Sequence, residues 1–192
     1  MHKELTEEEL ETYSRQIVLA DSGYDGQLKL KNARACLVGV GGLGSPVWLK
    51  LVGMGIGILR VVDRDIVSRS DLHRQYLYDV DSIGMPKVEV LDQKLSRLNP
   101  DVTLDPVPES LNSINAEQLL TDMDVIIDGL DRPEPRYIVN RTSNKLKIPY
   151  IFGAAIEAFG NVSTILSGQT FCLESCKVCG TNPDGAPLIS IG

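Results

Sequence analysis

Apolar residues fall in short continuous runs, and between the runs they recur every three or four positions, a pattern that predicts strands alternating with helices. At the start, Thr6 stands three residues before Glu9, the spacing of a capping box, so a helix is predicted with Leu10, Tyr13 and Ile17 on its apolar face. Ser22-Gly-Tyr-Asp-Gly26 then breaks the chain. Residues 35–40 form an apolar run, followed by a glycine-rich turn and an apolar stretch over 43–54. Residues 55–62, rich in Ile and Val, read as a second strand ending at Asp63. This is one strand–turn–helix–strand unit. Residues 86–98 are predicted helical, with Val88, Leu91, Leu95 and Leu98 on one stripe and Pro86 at an early helix position. Residues 102–107 and 149–152 read as strands, 125–127 as a buried parallel strand ending at Asp128 and Gly129, and 137–146 as a helix. A strand over 161–166 opens a differently wired section. The fold class that follows is α/β: a Rossmann-like, doubly wound, mostly parallel sheet with helices on both faces.

Bulk composition narrows the function classes. The 192 residues are 43% apolar and 23% charged, enough for one substantial core. A net charge of −7 argues against a nucleic-acid partner, because neutralising a phosphate backbone needs a basic surface. A single nucleotide needs only a few local donors and stays open. No apolar run approaches the roughly 18 residues that cross a bilayer, and residues 1–11 are acidic rather than signal-like, so no membrane partner and a cytoplasmic location are expected. Of four cysteines, Cys36 sits in an apolar run and reads as a buried strand residue. Cys172, Cys176 and Cys179 cluster within eight residues, which suits metal or redox chemistry better than a disulfide framework.

Two constellations carry candidate chemistry. In Gly39-Val-Gly-Gly-Leu-Gly44, glycine lets the backbone turn tightly and approach phosphates, and the helix that follows favours an anion at its N-terminus. Asp63 lies 19 residues past Gly44, the distance at which a carboxylate meets ribose hydroxyls. Gly41, Gly42, Gly44 and Asp63 therefore indicate a nucleotide or dinucleotide, and an NAD-dependent oxidoreductase fits this motif alone. Asp65, Ser70, Asp71, Arg74 and Gln75 follow the second strand, Lys87 opens the next predicted helix, and Asp131 follows a later strand. An adenylating site needs cations for the triphosphate, a carboxylate for Mg2+ and a carboxylate for ribose, and Arg74, Lys87, Asp131 and Asp63 could fill those places. Plainer readings stand beside these: Arg15 as a solvated charge on a helix, Asp131 as a helix cap, Arg136 as a surface charge, His73 without a role.

Tyr13-x-Arg15-Gln-Ile17, the Gly-Gly-Leu-Gly turn, Asp63-x-Asp65-x-Val67 and Ser70-x-Leu72-x-Arg74-Gln75 occur in order, with Gly84-x-Pro-Lys87, Asn99-Pro100 and Gly153-Ala-Ala155 after them. Together they resemble the MoeB/ThiF/HesA family of ubiquitin-activating-enzyme-like adenylyltransferases, from about residue 12 onward. The resemblance implies a single nucleotide-binding adenylation domain over 1–192, with a helical arm over 1–30 and a cysteine-containing tail over 170–192. It implies ATP and Mg2+, and as partner a small ubiquitin-like sulfur-carrier protein ending in Gly-Gly, whose carboxylate becomes adenylated. Gly42 and Asp63 would contact the nucleotide, 70–74 and Lys87 would hold ribose and phosphates, and Asp131 would bind Mg2+. Arg15 would reach into the neighbouring subunit's site of a homodimer.

Three departures stand out against that family. Its Ser-Asn-Leu is Ser70-Asp71-Leu72 here, placing an anion near the triphosphate unless Arg74 or Mg2+ offsets it. Its Asp-Asn is Asp131-Arg132, which exchanges an amide for a guanidinium that could contact a phosphate. In place of two Cys-x-x-Cys pairs there are three thiols, one short of a closed zinc site. Zinc on Cys172, Cys176 and Cys179 with a further ligand, thiol chemistry at Cys179, and free thiols are the three readings. The family's later strands are expected to be shortened. A relative that binds nucleotide or carrier without turnover is the alternative to an enzyme.

Overall fold

The computed structural model describes residues 4–170 and 173–174. Cys172, Cys176 and Cys179 lie outside the described residues, and with them the zinc and thiol readings of the tail. Three short helices, α1 (Glu7–Thr12), α2 (Ser14–Ile17) and α3 (Gly23–Asn32), precede the sheet. Then follow β1 (Arg34–Val38), α4 (Gly44–Gly53), β2 (Ile58–Val62), α5 (Lys87–Leu95), β3 (Thr103–Val107), α6 (Ala116–Leu120), β4 (Val125–Asp128), α7 (Pro133–Leu146), β5 (Tyr150–Ile156) and β6 (Phe159–Ile165). The six strands lie in the order β3-β2-β1-β4-β5-β6. All neighbours pair parallel except β5 and β6, which form an antiparallel hairpin. The fold class read from the alternation is the one observed, and the differently wired section is this hairpin. The strand order reverses between β1 and β4, and in open α/β sheets ligands bind at such a reversal, beyond the strands' C-terminal ends.

Strand β1 shows why its sequence is apolar throughout. Side chains alternate between faces, so Ala35 and Leu37 enter one core with Trp48, Val52 and Leu91, while Cys36 and Val38 enter the other with Leu120, Val139 and Phe152. A strand covered on both faces has no solvent side for a polar residue. Burial pushes the Cys36 thiol up to about 12, and only the thiolate reacts. Cys36 is therefore expected to stay unmodified by maleimide at pH 8 in the native protein and to react fully in denaturant, as read by mass spectrometry of its peptide. Rapid native labelling would contradict its burial.

The N-terminal region departs from the predicted single helix. The capping box forms, with the Thr6 N–H donating to Glu9 Oε2 at 2.7 Å and the Glu9 N–H to Thr6 Oγ1 at 3.2 Å. The helix nevertheless breaks at Tyr13, whose ring is buried above Gly55, where φ is +81° and a Cβ would lie 2.4 Å from the phenol. Asn99 Nδ2 donates to the Tyr13 hydroxyl at 2.7 Å and to the Val52 carbonyl at 2.8 Å, tying this arm to the end of α4. Leu10 faces solvent instead of the core. The predicted break at 22–26 is also corrected: α3 starts at Gly23, and its Gln27 is buried, donating to the Met54 carbonyl at 2.9 Å. A glutamine among lysines carries no apolar period, so the pattern hid this helix. The stripe on α5 ends at Leu95, and Leu98 is exposed. No helix among the described residues is long and apolar enough to cross a membrane.

Candidate nucleotide site

Three glycines bring the first strand, its turn and β4 into backbone contact. A Cβ on Gly44 would sit 1.9 Å from the Gly39 carbonyl oxygen, and one on Gly129 would sit 2.3 Å from the same atom. Gly39 itself has φ +91°. Gly41 and Gly42 differ: a Cβ there would meet only the Gln75 amide at 3.7 Å or the Arg74 stem at 3.9 Å. Both border an open cleft of about 1470 Å³ at the C-terminal ends of the strands. That volume exceeds the roughly 300–1,000 Å³ of an ordinary small-ligand pocket.

Asp63, Asp65, Asp71, Arg74, Gln75, Lys87, Asp131 and Arg132 all line this cleft with Gly41 and Gly42. Gly44, Ser70 and Arg15 do not. Gly44 is packed against backbone, the Ser70 hydroxyl lies 2.7 Å from that of Ser68, and Arg15 is exposed on α2.

Asp63 closes the β2 end over the glycine turn. Its Oδ2 accepts from the Val40 N–H and its Oδ1 from the Asp65 N–H, each at 2.8 Å. Burial raises its pKa, opposed by those two backbone donors. Asp71 is buried and shared among many donors: the Ser68 N–H at 2.9 Å, the Ser68 hydroxyl at 3.0 Å, Gln75 Nε2 at 3.0 Å and Arg74 Nη2 at 3.4 Å. Burial opposes its charge, yet the Ser68 donors together with Lys87 and Arg74 hold its pKa below the ordinary value. The Asp71 charge is thus paired with Arg74, one of the two offsets the sequence suggested, and also with Lys87.

Lys87 is 5% exposed. Its Nζ lies 3.5 Å from both Asp65 Oδ2 and Asp71 Oδ2. These separations are longer than a good charge-assisted hydrogen bond of about 2.7–2.9 Å, so donor capacity remains. Arg74 is half-exposed and donates through Nη1 to the Ser70 carbonyl at 2.7 Å. Among the described residues, the exposed side chains of Asp131 and Arg132 make no hydrogen bond or ion pair. The N-cap of α7 is Arg132 and receives no side-chain cap bond, so the Asp131 carboxylate is not spent on capping. An unspent carboxylate lining the cleft suits Mg2+, which takes one or two carboxylates plus phosphate oxygens.

Sequence reasoning missed the network beneath this loop. Asp128, buried at the end of β4, accepts from Arg136 Nε at 3.0 Å, the Tyr150 hydroxyl at 2.7 Å and the Leu130 N–H at 2.8 Å. Burial raises its pKa, opposed first by the Arg136 charge. Arg136 also donates to the Gly153 carbonyl at 2.9 Å and lies 5.2 Å from the Phe152 ring centroid. It is no surface charge, and it ties the Asp131 loop to β5. A buried acid needs a counter-ion, so the acid ending an apolar strand was the signal that could have found it.

A sequence model described as the ThiF family matches residues 13–190. The sulfur carrier protein adenylyltransferase of Thermus thermophilus is 42% identical over 185 residues, covering 94% of this chain and 68% of that protein. The sulfur carrier protein ThiS adenylyltransferase of Bacillus subtilis is 36% identical over 184 residues, covering 93% of this chain and 55% of that protein. The crystal structure of selenomethionine PaaA superposes with a TM-score of 0.78 at 29% identity, over 91% of this chain and 60% of that one. The chain therefore spans 55% to 68% of the length of these relatives.

Proposed function

This chain belongs to the ThiF family, and from that premise we propose that it adenylates the C-terminal glycine carboxylate of a small ubiquitin-like sulfur carrier. Support comes from one observation above the rest: Asp63, Arg74, Lys87 and Asp131, scattered in sequence, line one cleft beside the glycine turn. A carrier carboxylate oxygen attacks the α-phosphorus of ATP, the bond from that phosphorus to the bridging oxygen breaks, and acyl adenylate and pyrophosphate leave. In this reading Asp63 orients the ribose and Gly41 and Gly42 let the phosphates approach the backbone. Lys87 and Arg74 neutralise the charge that builds on the phosphoryl oxygens, so positioning and electrostatics supply the rate. Asp131 would hold Mg2+, which when bound withdraws charge from the phosphates. Arg15, exposed and not among the residues lining its own cleft, serves the partner's cleft in a cytoplasmic homodimer.

Carrier-dependent ATP–pyrophosphate exchange tests the reading: exchange is expected with a carrier ending in Gly-Gly, and its absence with every such carrier overturns an enzymatic role. ATP binding without exchange would instead support a non-turnover relative, which Asp71 and Arg132 in place of neutral amides favour. Tighter binding of NAD than of ATP would refute both. Within the enzymatic reading, Asp131→Asn is expected to raise the Mg2+ concentration for half-maximal exchange about tenfold, since one anionic metal ligand is lost. An unchanged Mg2+ dependence would remove its metal role.

A further inference from the structure

The cleft that is to receive a triphosphate is not positive. Six carboxylates and five cationic side chains line it. Two of its cations are already committed to one buried acid: Arg74 Nη2 lies 3.4 Å and Lys87 Nζ 3.5 Å from Asp71. Asp71 is 6% exposed and Lys87 5%, so this pair sits in the wall of the cleft, with the half-exposed Arg74 beside it.

A second observation shows that Gln75 is oriented by an acceptor at position 71. Gln75 is 2% exposed and spends its Nε2 on Asp71 Oδ1 at 3.0 Å. Its Oε1 is buried with no partner. Leaving a buried amide oxygen unsatisfied costs roughly 1–3 kcal/mol. Turning Gln75 over to accept from a neutral amide at 71 would only exchange the orphaned oxygen for an orphaned Nε2, so the residue at 71 decides which end of the Gln75 amide faces it.

We propose that Asp71 is a positioning residue that acts as the resident counter-ion of Lys87 and Arg74, orienting both in the empty cleft and yielding them to the triphosphate. The inference rests on the ATP reading above and adds a consequence to it. A triphosphate entering without metal must compete with Asp71 for the same two cations while facing its negative charge. With Mg2+ the phosphates carry less net charge and Asp131 offers a separate anchor. Asp71 thereby makes the cleft discriminate between metal-free ATP and its Mg2+ complex.

The test is calorimetric titration of the full chain and of Asp71→Asn with ATP, once in Mg2+ and once in EDTA. The amide keeps an acceptor for the Ser68 N–H, and Gln75 supplies the complementary flip, so the variant is expected to fold with an unchanged melting temperature. Metal-free ATP is expected to bind the variant about tenfold tighter, the scale of one like-charge interaction removed at a partly screened site. Binding of the Mg2+ complex is expected to change less than about threefold on the same reasoning. A purely structural role would move both constants together, and that outcome overturns the proposal, as does metal-free binding that stays equal or weakens. Asp71→Ser is the second variant should the amide fail to fold, with the same selective tightening expected. If the unsubstituted chain binds ATP in neither buffer, the ATP reading falls and this inference with it. If it binds and only the selectivity is unmoved, this inference falls alone.

Discussion

Lys87→Ala is expected to lower carrier-dependent exchange by at least about a hundredfold, the range found when one donor to developing charge is removed from a water-poor site. Two effects act in the same direction. The one lysine ammonium among the described residues lining the cleft disappears from a position with 5% exposure, where no solvent cation can take its place. Its removal also leaves Asp65 and Asp71, each 3.5 Å from the lost Nζ, with more exposed partners only, Arg64 at 3.9 Å and Arg74 at 3.4 Å respectively. Both kcat and the apparent affinity for ATP should therefore fall. Lys87→Arg is not expected to rescue, because a planar guanidinium does not fit between two carboxylates placed for a compact ammonium. Exchange within about threefold of the unsubstituted chain would sink the assignment, since a group stabilising the reacting phosphates is worth far more than that.

Gly44→Ala is expected to destabilise the fold by about 3 kcal/mol or more, toward the upper end for overpacking, measured by urea unfolding. The new Cβ would lie 1.9 Å from the Gly39 oxygen, and no side chain can rotate away to relieve the contact. The backbone is pinned on both sides, with the Gly39 N–H donating to the Val62 carbonyl at 2.9 Å and the Gly129 N–H to the Val38 carbonyl at 2.8 Å. Gly42→Ala is the contrast: its Cβ would find only the Arg74 stem at 3.9 Å. Stability is expected to hold within about 0.5 kcal/mol, while ATP binding weakens as the methyl occupies the phosphate approach. Equal stability for the two variants would refute the division of the glycine turn into packing and binding members.

That division marks a limit of the sequence. The spacing Gly39-Val-Gly-Gly-Leu-Gly44 announces a tight turn before a helix, but the string treats its glycines alike. Only the crossing of β1, α4 and β4 separates Gly44, walled in by backbone, from Gly42, open to the cleft. Tyr13 and Asn99 stand 86 positions apart and read as pieces of separate motifs, and they meet in a buried hydrogen bond. Arg136 looked like a surface charge because its partners are supplied by β4, the loop after it and β5.

What the sequence determined by itself is the alternation of elements, hence a parallel sheet covered on both faces. The types of chemical group at the strand ends were legible too. Apolar period and glycine spacing are local properties, and a parallel strand must be apolar on both faces wherever it pairs. The tertiary structure alone decided which charges neutralise which. Burial of Asp71 beside Lys87, and of Asp128 beside Arg136, depends on segments that touch only after the sheet has closed. Electrostatic strength follows distance and solvent exclusion, and neither is written in residue order.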